Sequence, residues 1–140
     1  MTPEDAGHLD LVLEELTAEI LRLVDGEVTG EEIRVRTDGG WRLAAWLEPD
    51  TFAVDFVPEG DAQIDALDDY QLALIYGLGF EDEEQGERLF FRQAFDREEG
   101  EEWEEQAVRE LALLGLGALR DVLRCAPISS YRVEGERSRA

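Results

Sequence analysis

The sequence predicts an α+β fold, a two-layer sandwich in which an antiparallel sheet is covered by N-terminal and C-terminal helices. Three observations predict it. Residues 33–57 alternate apolar and polar with a period of two, in three runs separated by turn residues. Before them, Leu9, Val12, Leu13, Leu16, Ile20, Leu23 and Val24 recur at helical spacing. Near the other end, Trp103, Ala107, Val108, Leu111, Leu114, Ala118, Leu119, Val122 and Leu123 do the same. The expected order is α-β-β-β-α-β(-β)-α, in one domain over residues 1–127, with 128–140 a polar, mobile tail.

The first helix starts well. Thr2 can cap it, Pro3 fits the first helical position and Asp5 sits where a capping-box acid belongs. It ends near Asp25-Gly26, where Gly suits a left-handed C-terminal position. In the meander, Ile33 and Val35 alternate with Arg34 and Arg36, and residues 37–40 supply turn chemistry. Trp41, Leu43, Ala45 and Leu47 then face away from Arg42, Ala44 and Trp46. Pro49-Asp50 breaks the run before Phe52, Val54 and Phe56. Trp41 and Trp46 therefore lie on opposite faces. Trp46 either packs under an edge loop or the tail, or stands at an interface, where Trp is enriched.

A polar connection follows, with possible helix caps at Asp65 or Asp68. The next short helix carries Tyr70, Leu72, Ala73, Leu74, Ile75 and Tyr76. It is apolar almost all round, so it belongs in a core or at an interface. Gly77-Leu78-Gly79-Phe80 reads as its C-terminus; two glycines without a third or a preceding strand make no nucleotide loop. Residues 81–87 read as an acidic loop. Arg88 to Asp96 alternate again, Leu89, Phe91 and Phe95 opposite Phe90, Arg92 and Asp96. The acidic run 98–105 opens the last helix, at the end where the macrodipole favours acids. Gly115 and Gly117 each cost this helix about 1 kcal/mol relative to Ala. Close packing against the sheet or another helix would offset that. Pro127 stops the helix, and the tail beyond carries Arg132, Arg137 and Arg139.

Composition excludes much chemistry. The formal charge is −22, from 35 acidic and 13 basic residues, and every basic residue is Arg. Without Lys there is no P-loop lysine and no Schiff base. Such a surface repels phosphate backbones and anionic lipid, so neither direct nucleic-acid binding nor membrane binding is expected. His8 and Cys125 are single and far apart, so no triad, zinc site or intrachain disulfide can be written. His8 is expected at the solvent-facing side or edge of its helix. A calcium loop starting at Glu81 places Gly86 at the sixth position, but the twelfth falls on Arg92 where a bidentate Glu is needed. The expectations are no enzyme, no metal and no cofactor, in a soluble cytoplasmic protein.

The stretch from Tyr70 to Phe80, closing on Leu78-Gly79-Phe80, is followed by a strand and a C-terminal helix with Ala118-Leu119-Arg120-Asp121-Val122 before Pro127. This pattern resembles the YbjN-like family, over roughly residues 5–127. The resemblance implies the fold of the type III secretion chaperones, small acidic α/β proteins, usually homodimeric, that hold client segments without ATP. The chain departs from the family's pattern after Phe80, where Glu and Arg replace an expected Pro and Asn, and the tail has no counterpart. The expected function is thus a chaperone-like or adaptor module holding a protein client. That client would be basic, such as a nucleic-acid-binding protein. The alternative is an acidic DNA mimic that blocks a DNA-binding protein. Candidate partner or homodimer contacts are Trp46, Tyr70, Tyr76, Phe80, Phe90, Gly115 and Ala118.

Overall fold

The computed structural model describes residues 1–98 and 101–137 and is an α+β two-layer sandwich. Helix α1 (Pro3–Asp25) leads into the meander β1 (Glu31–Arg36), β2 (Trp41–Leu47) and β3 (Thr51–Pro58). Two short helices follow, α2 (Asp61–Asp65) and α3 (Asp69–Gly77), then the hairpin β4 (Glu81–Gln85) and β5 (Arg88–Asp96). Helix α4 (Glu105–Asp121), a 3-10 turn (Ile128–Ser130) and β6 (Arg132–Arg137) complete the chain. The six strands form one antiparallel sheet in the order β4-β5-β3-β2-β1-β6.

The α1 start is built as its sequence predicts: Pro3 opens it, and the Thr2 hydroxyl accepts from the Asp5 N–H at 3.1 Å. Its end differs. Gly26 keeps a right-handed φ of −85°, and the left-handed residue is Glu27 at φ 49°. A Cβ on Gly26 would lie 2.8 Å from the Arg22 carbonyl oxygen, so close approach is what requires glycine there. One face of α1 buries Leu9, Val12, Leu13, Leu16, Ile20, Leu23 and Val24 against Ile33, Val35, Leu43 and Leu47. Helix α4 adds Val108, Ala112, Leu116 and Leu119 to the same core. Each such aliphatic side chain contributes about 1.5–3 kcal/mol on burial.

Three expectations need correction. The acidic residues 81–87 are no loop: Glu81–Gln85 is a strand paired with β5, and Gly86, at φ +65°, makes the turn. Strand geometry sends alternate carboxylates to opposite faces, which also removes any calcium-loop arrangement. The acidic run 98–105 does not open α4, which begins only at Glu105; Glu99 and Gly100 lie outside the described residues. Trp103, ahead of that start, packs edge-on against Phe52 at 5.2 Å. Finally, the tail is part of the fold. Tyr131 is 1% exposed, its hydroxyl donates to the Cys125 carbonyl at 2.8 Å, and β6 pairs with β1 along its whole length. Val133 opposite Val35 and Gly135 opposite Ile33 give β6 a short apolar side that the polar composition hides. Residues 138–140, with Arg139, lie outside the described residues.

Candidate functional site

Two surfaces on opposite sides of the sandwich carry features that the fold does not require. The first is on the helical layer. Asp68 caps α3 through a complete capping box with Gln71, and Gln71 Nε2 also donates to the Val122 carbonyl at 2.7 Å. That bond ties α3 to the end of α4. Ile75 and Phe80 anchor the segment in the core, Phe80 against Phe56 at 4.5 Å between ring centroids. Leu72 and Leu74 pack part-buried against the same core, and the two tyrosines of α3 turn outward. Tyr70 is 67% exposed and Tyr76 46% exposed, its hydroxyl donating to Asp82 at 2.8 Å. Helix α4 exposes Leu113 (55%) and Leu114 (38%). Leu78, Leu113, Leu114, Gly117, Ala118 and Val122 line a shallow groove of about 410 Å³, with Glu110 and Asp121 also in its wall.

The second surface is the sheet face opposite the helices. Ala44, Ala53 and Phe90 are buried there but belong to no helix-packed cluster. Trp46 is part-exposed, and its indole N–H donates to Glu48, in the turn after β2, at 3.3 Å. The Arg92 guanidinium lies 4.7 Å from the Trp46 ring centroid and 5.1 Å from that of Phe90. The same guanidinium donates to both Asp55 oxygens, at 2.9 and 3.2 Å. Burial pushes the Asp55 carboxyl above the usual range, and Arg92 pulls it back only in part. Burial wins because the Asp55 side chain is almost completely covered while Arg92 stays part-exposed. Six arginines share this face: Arg34, Arg36, Arg42, Arg88, Arg92 and Arg132. Acids share the face, with Glu32, Asp55, Glu81, Glu83 and Glu134 at the same register positions, so it is close to charge-balanced on a chain of charge −22.

Compared with known proteins, the chain matches no family model, no curated protein and no solved structure. Its chemistry therefore rests on its own side chains. His8 is no free edge residue: its Nε2 is 2.8 Å from the Tyr131 carbonyl oxygen, joining α1 to the segment before β6. Cys125 is buried against Gly39, and desolvation pushes its thiol up, away from the thiolate a nucleophile needs. Among the described residues no group of three or more His, Cys, Asp or Glu is placed to hold a metal. No helix is long and apolar enough to cross a membrane.

The sequence-predicted contacts divide. Ala118 lines the groove, whereas Tyr70 and Tyr76 are exposed on α3 outside its lining, Tyr76 edge-on to Phe91 at 6.2 Å. Phe80 is core, and a Cβ on Gly115 would meet Leu43 Cδ2 at 3.1 Å, so this glycine serves helix-on-sheet packing. Trp46 and Phe90 belong to the opposite face. Leu113, Leu114 and Gly117 were missed as contacts. Only Leu113 carried a signal, since it falls outside the apolar stripe of α4; Leu114 was placed inside that stripe yet is 38% exposed, and the open space around Gly117 shows only in the structure.

Proposed function

We propose that this chain is a non-enzymatic protein-binding module, chaperone-like or adaptor in character, that holds a partner protein in the α3–α4 groove without ATP. The observation that carries this reading is the exposure of Leu113 and Leu114 in a groove with acids in its wall. Large apolar side chains gathered on the surface mark interaction sites. The surrounding charge selects the occupant: a segment with an apolar face flanked by basic residues, steered inward by the field. The resemblance to the YbjN-like family points the same way. A DNA-mimic reading would use the acidic surface but leave the apolar groove without a role.

The same groove offers a homodimer contact. Two copies would bring −44 together, twice the chain's −22, so self-association should strengthen with salt while basic-client binding weakens. Sedimentation at about 50 and about 500 mM salt reads the first of these effects. Fluorescence anisotropy with an amphipathic Leu/Arg helical peptide reads the second. Leu113→Asp should reduce both. Peptide affinity that is unchanged in Leu113→Asp, or that disappears entirely at high salt, contradicts apolar docking in the groove.

A further inference from the structure

We propose that the helix-free sheet face carries a binding site for an apolar carboxylic acid, with Arg42 and Arg88 holding the carboxylate. The register creates the site. Arg36 pairs with Arg132, and Val35 opposite Leu43 places Arg36 beside Arg42, so three guanidiniums share one row across β6, β1 and β2. Like charges directly opposite one another are unfavourable in a sheet. Acids relieve part of this row: Arg36 pairs with Glu134 at 3.3 Å, and Arg132 with Glu134 and Asp38 at 3.3 and 3.6 Å. Among the described residues no ion pair holds Arg42 or Arg88 in this way, although Glu32 attracts Arg42 from farther off. Neither makes an ion pair or a side-chain hydrogen bond, and the Arg42 Nε is buried without a partner. A buried N–H left unpaired costs about 1–3 kcal/mol, which a ligand acceptor would recover.

Both side chains face the same opening. Arg42 sits opposite Val57 on β3, Val57 lies beside Phe90 of β5, and Arg88 is two residues from Phe90. Arg42, Val57 and Arg88 line each of two adjoining clefts on this face, of about 470 and 310 Å³. Desolvation weakens the hold of Arg42 on its proton; Glu32 opposes it, and repulsion from Arg34, Arg36 and Arg88 adds smaller contributions in the same direction as desolvation. An anion between the guanidiniums removes that repulsion, and each planar fork can bind a carboxylate through two N–H groups. The ligand's charge is limited by Glu59 and Asp61 on the same rim and by Glu32, Glu48 and Glu83 farther along. A single carboxylate tolerates those neighbours better than a phosphate dianion. Its apolar body fits over Val57 and, at the strand ends that line the second cleft, Pro58 and the exposed Leu89, both of which belong by register to the other face.

Arginine Nε–Hε correlations in a nitrogen-15 NMR spectrum test this directly. Sodium phenylacetate is titrated at fixed ionic strength against acetate, benzyl alcohol and inorganic phosphate. The Arg42 and Arg88 signals should move and saturate by about 20 mM phenylacetate, with binding at least about tenfold weaker for each of the other probes. Arg42→Gln and Arg88→Gln should each weaken binding at least about fivefold, with melting curves confirming that both variants fold. Arg88 is exposed, so its variant tests the site even if the first is destabilised. Shifts that fail to saturate, that survive in both variants, or that are stronger with phosphate overturn the proposal.

Discussion

Asp55 lies under Arg92, which is sandwiched between Trp46 and Phe90, and the four side chains behave as one unit. Removing one partner of a buried ion pair strands the other, which costs more than the pair itself contributes. Arg92→Ala should therefore destabilise by about 2–3 kcal/mol, less than a fully buried pair because Arg92 is part-exposed. The double variant Asp55→Leu/Arg92→Leu should cost less than Arg92→Ala alone, as urea denaturation will show. The pH dependence follows from the raised Asp55 carboxyl. Its stabilising term is complete below the unfolded value of about 3.9 and is lost as pH rises through the higher folded value. Asp55→Asn does not titrate, so it should gain on wild type as pH rises through that window. Melting curves from acid to neutral pH check the sign.

Among the elements, β6 separates what composition can say from what pairing can. The tail residues look polar, yet one buried Tyr131 and a register of alternating Val133 and Gly135 suffice to fix them on β1. Tyr131→Ala should destabilise by about 3–5 kcal/mol in a thermal or urea melt, whereas a mobile tail would give no change. The meander and α1 were legible because period and caps are local signals, and of the two possible caps, Asp65 and Asp68, it is Asp68 that caps α3. β4 was not, since Glu81–Gln85 has no apolar alternation and is a strand only through pairing with β5. The site was partly legible: Ala118 could be named, but which face of α4 stays uncovered depends on where α1 and the sheet lie. The two α4 glycines show the same dependence. Gly117→Ala meets open space and should stabilise by about 0.5–1 kcal/mol. Gly115→Val should destabilise, because even a Cβ there presses on Leu43. Paired denaturation curves separate the two.

For the whole molecule, the sandwich separates its surfaces by chemistry. The helical layer offers an apolar groove with acids in its wall, and the far sheet face holds six arginines, one of them, Arg92, paired with the buried Asp55. Leu113 is more than half exposed, so Leu113→Asp should change stability by no more than about 0.5 kcal/mol while weakening association. The most direct measurement places a photo-crosslinking benzoylphenylalanine at Leu113 and, in a second protein, at Leu11. Leu11 is 70% exposed on α1 and lies outside the groove. After irradiation in cells, discrete adducts with a basic protein or a second copy are predicted from position 113 and not from position 11. Identical adducts from both positions, or none from position 113, would contradict a protein-docking groove between α3 and α4.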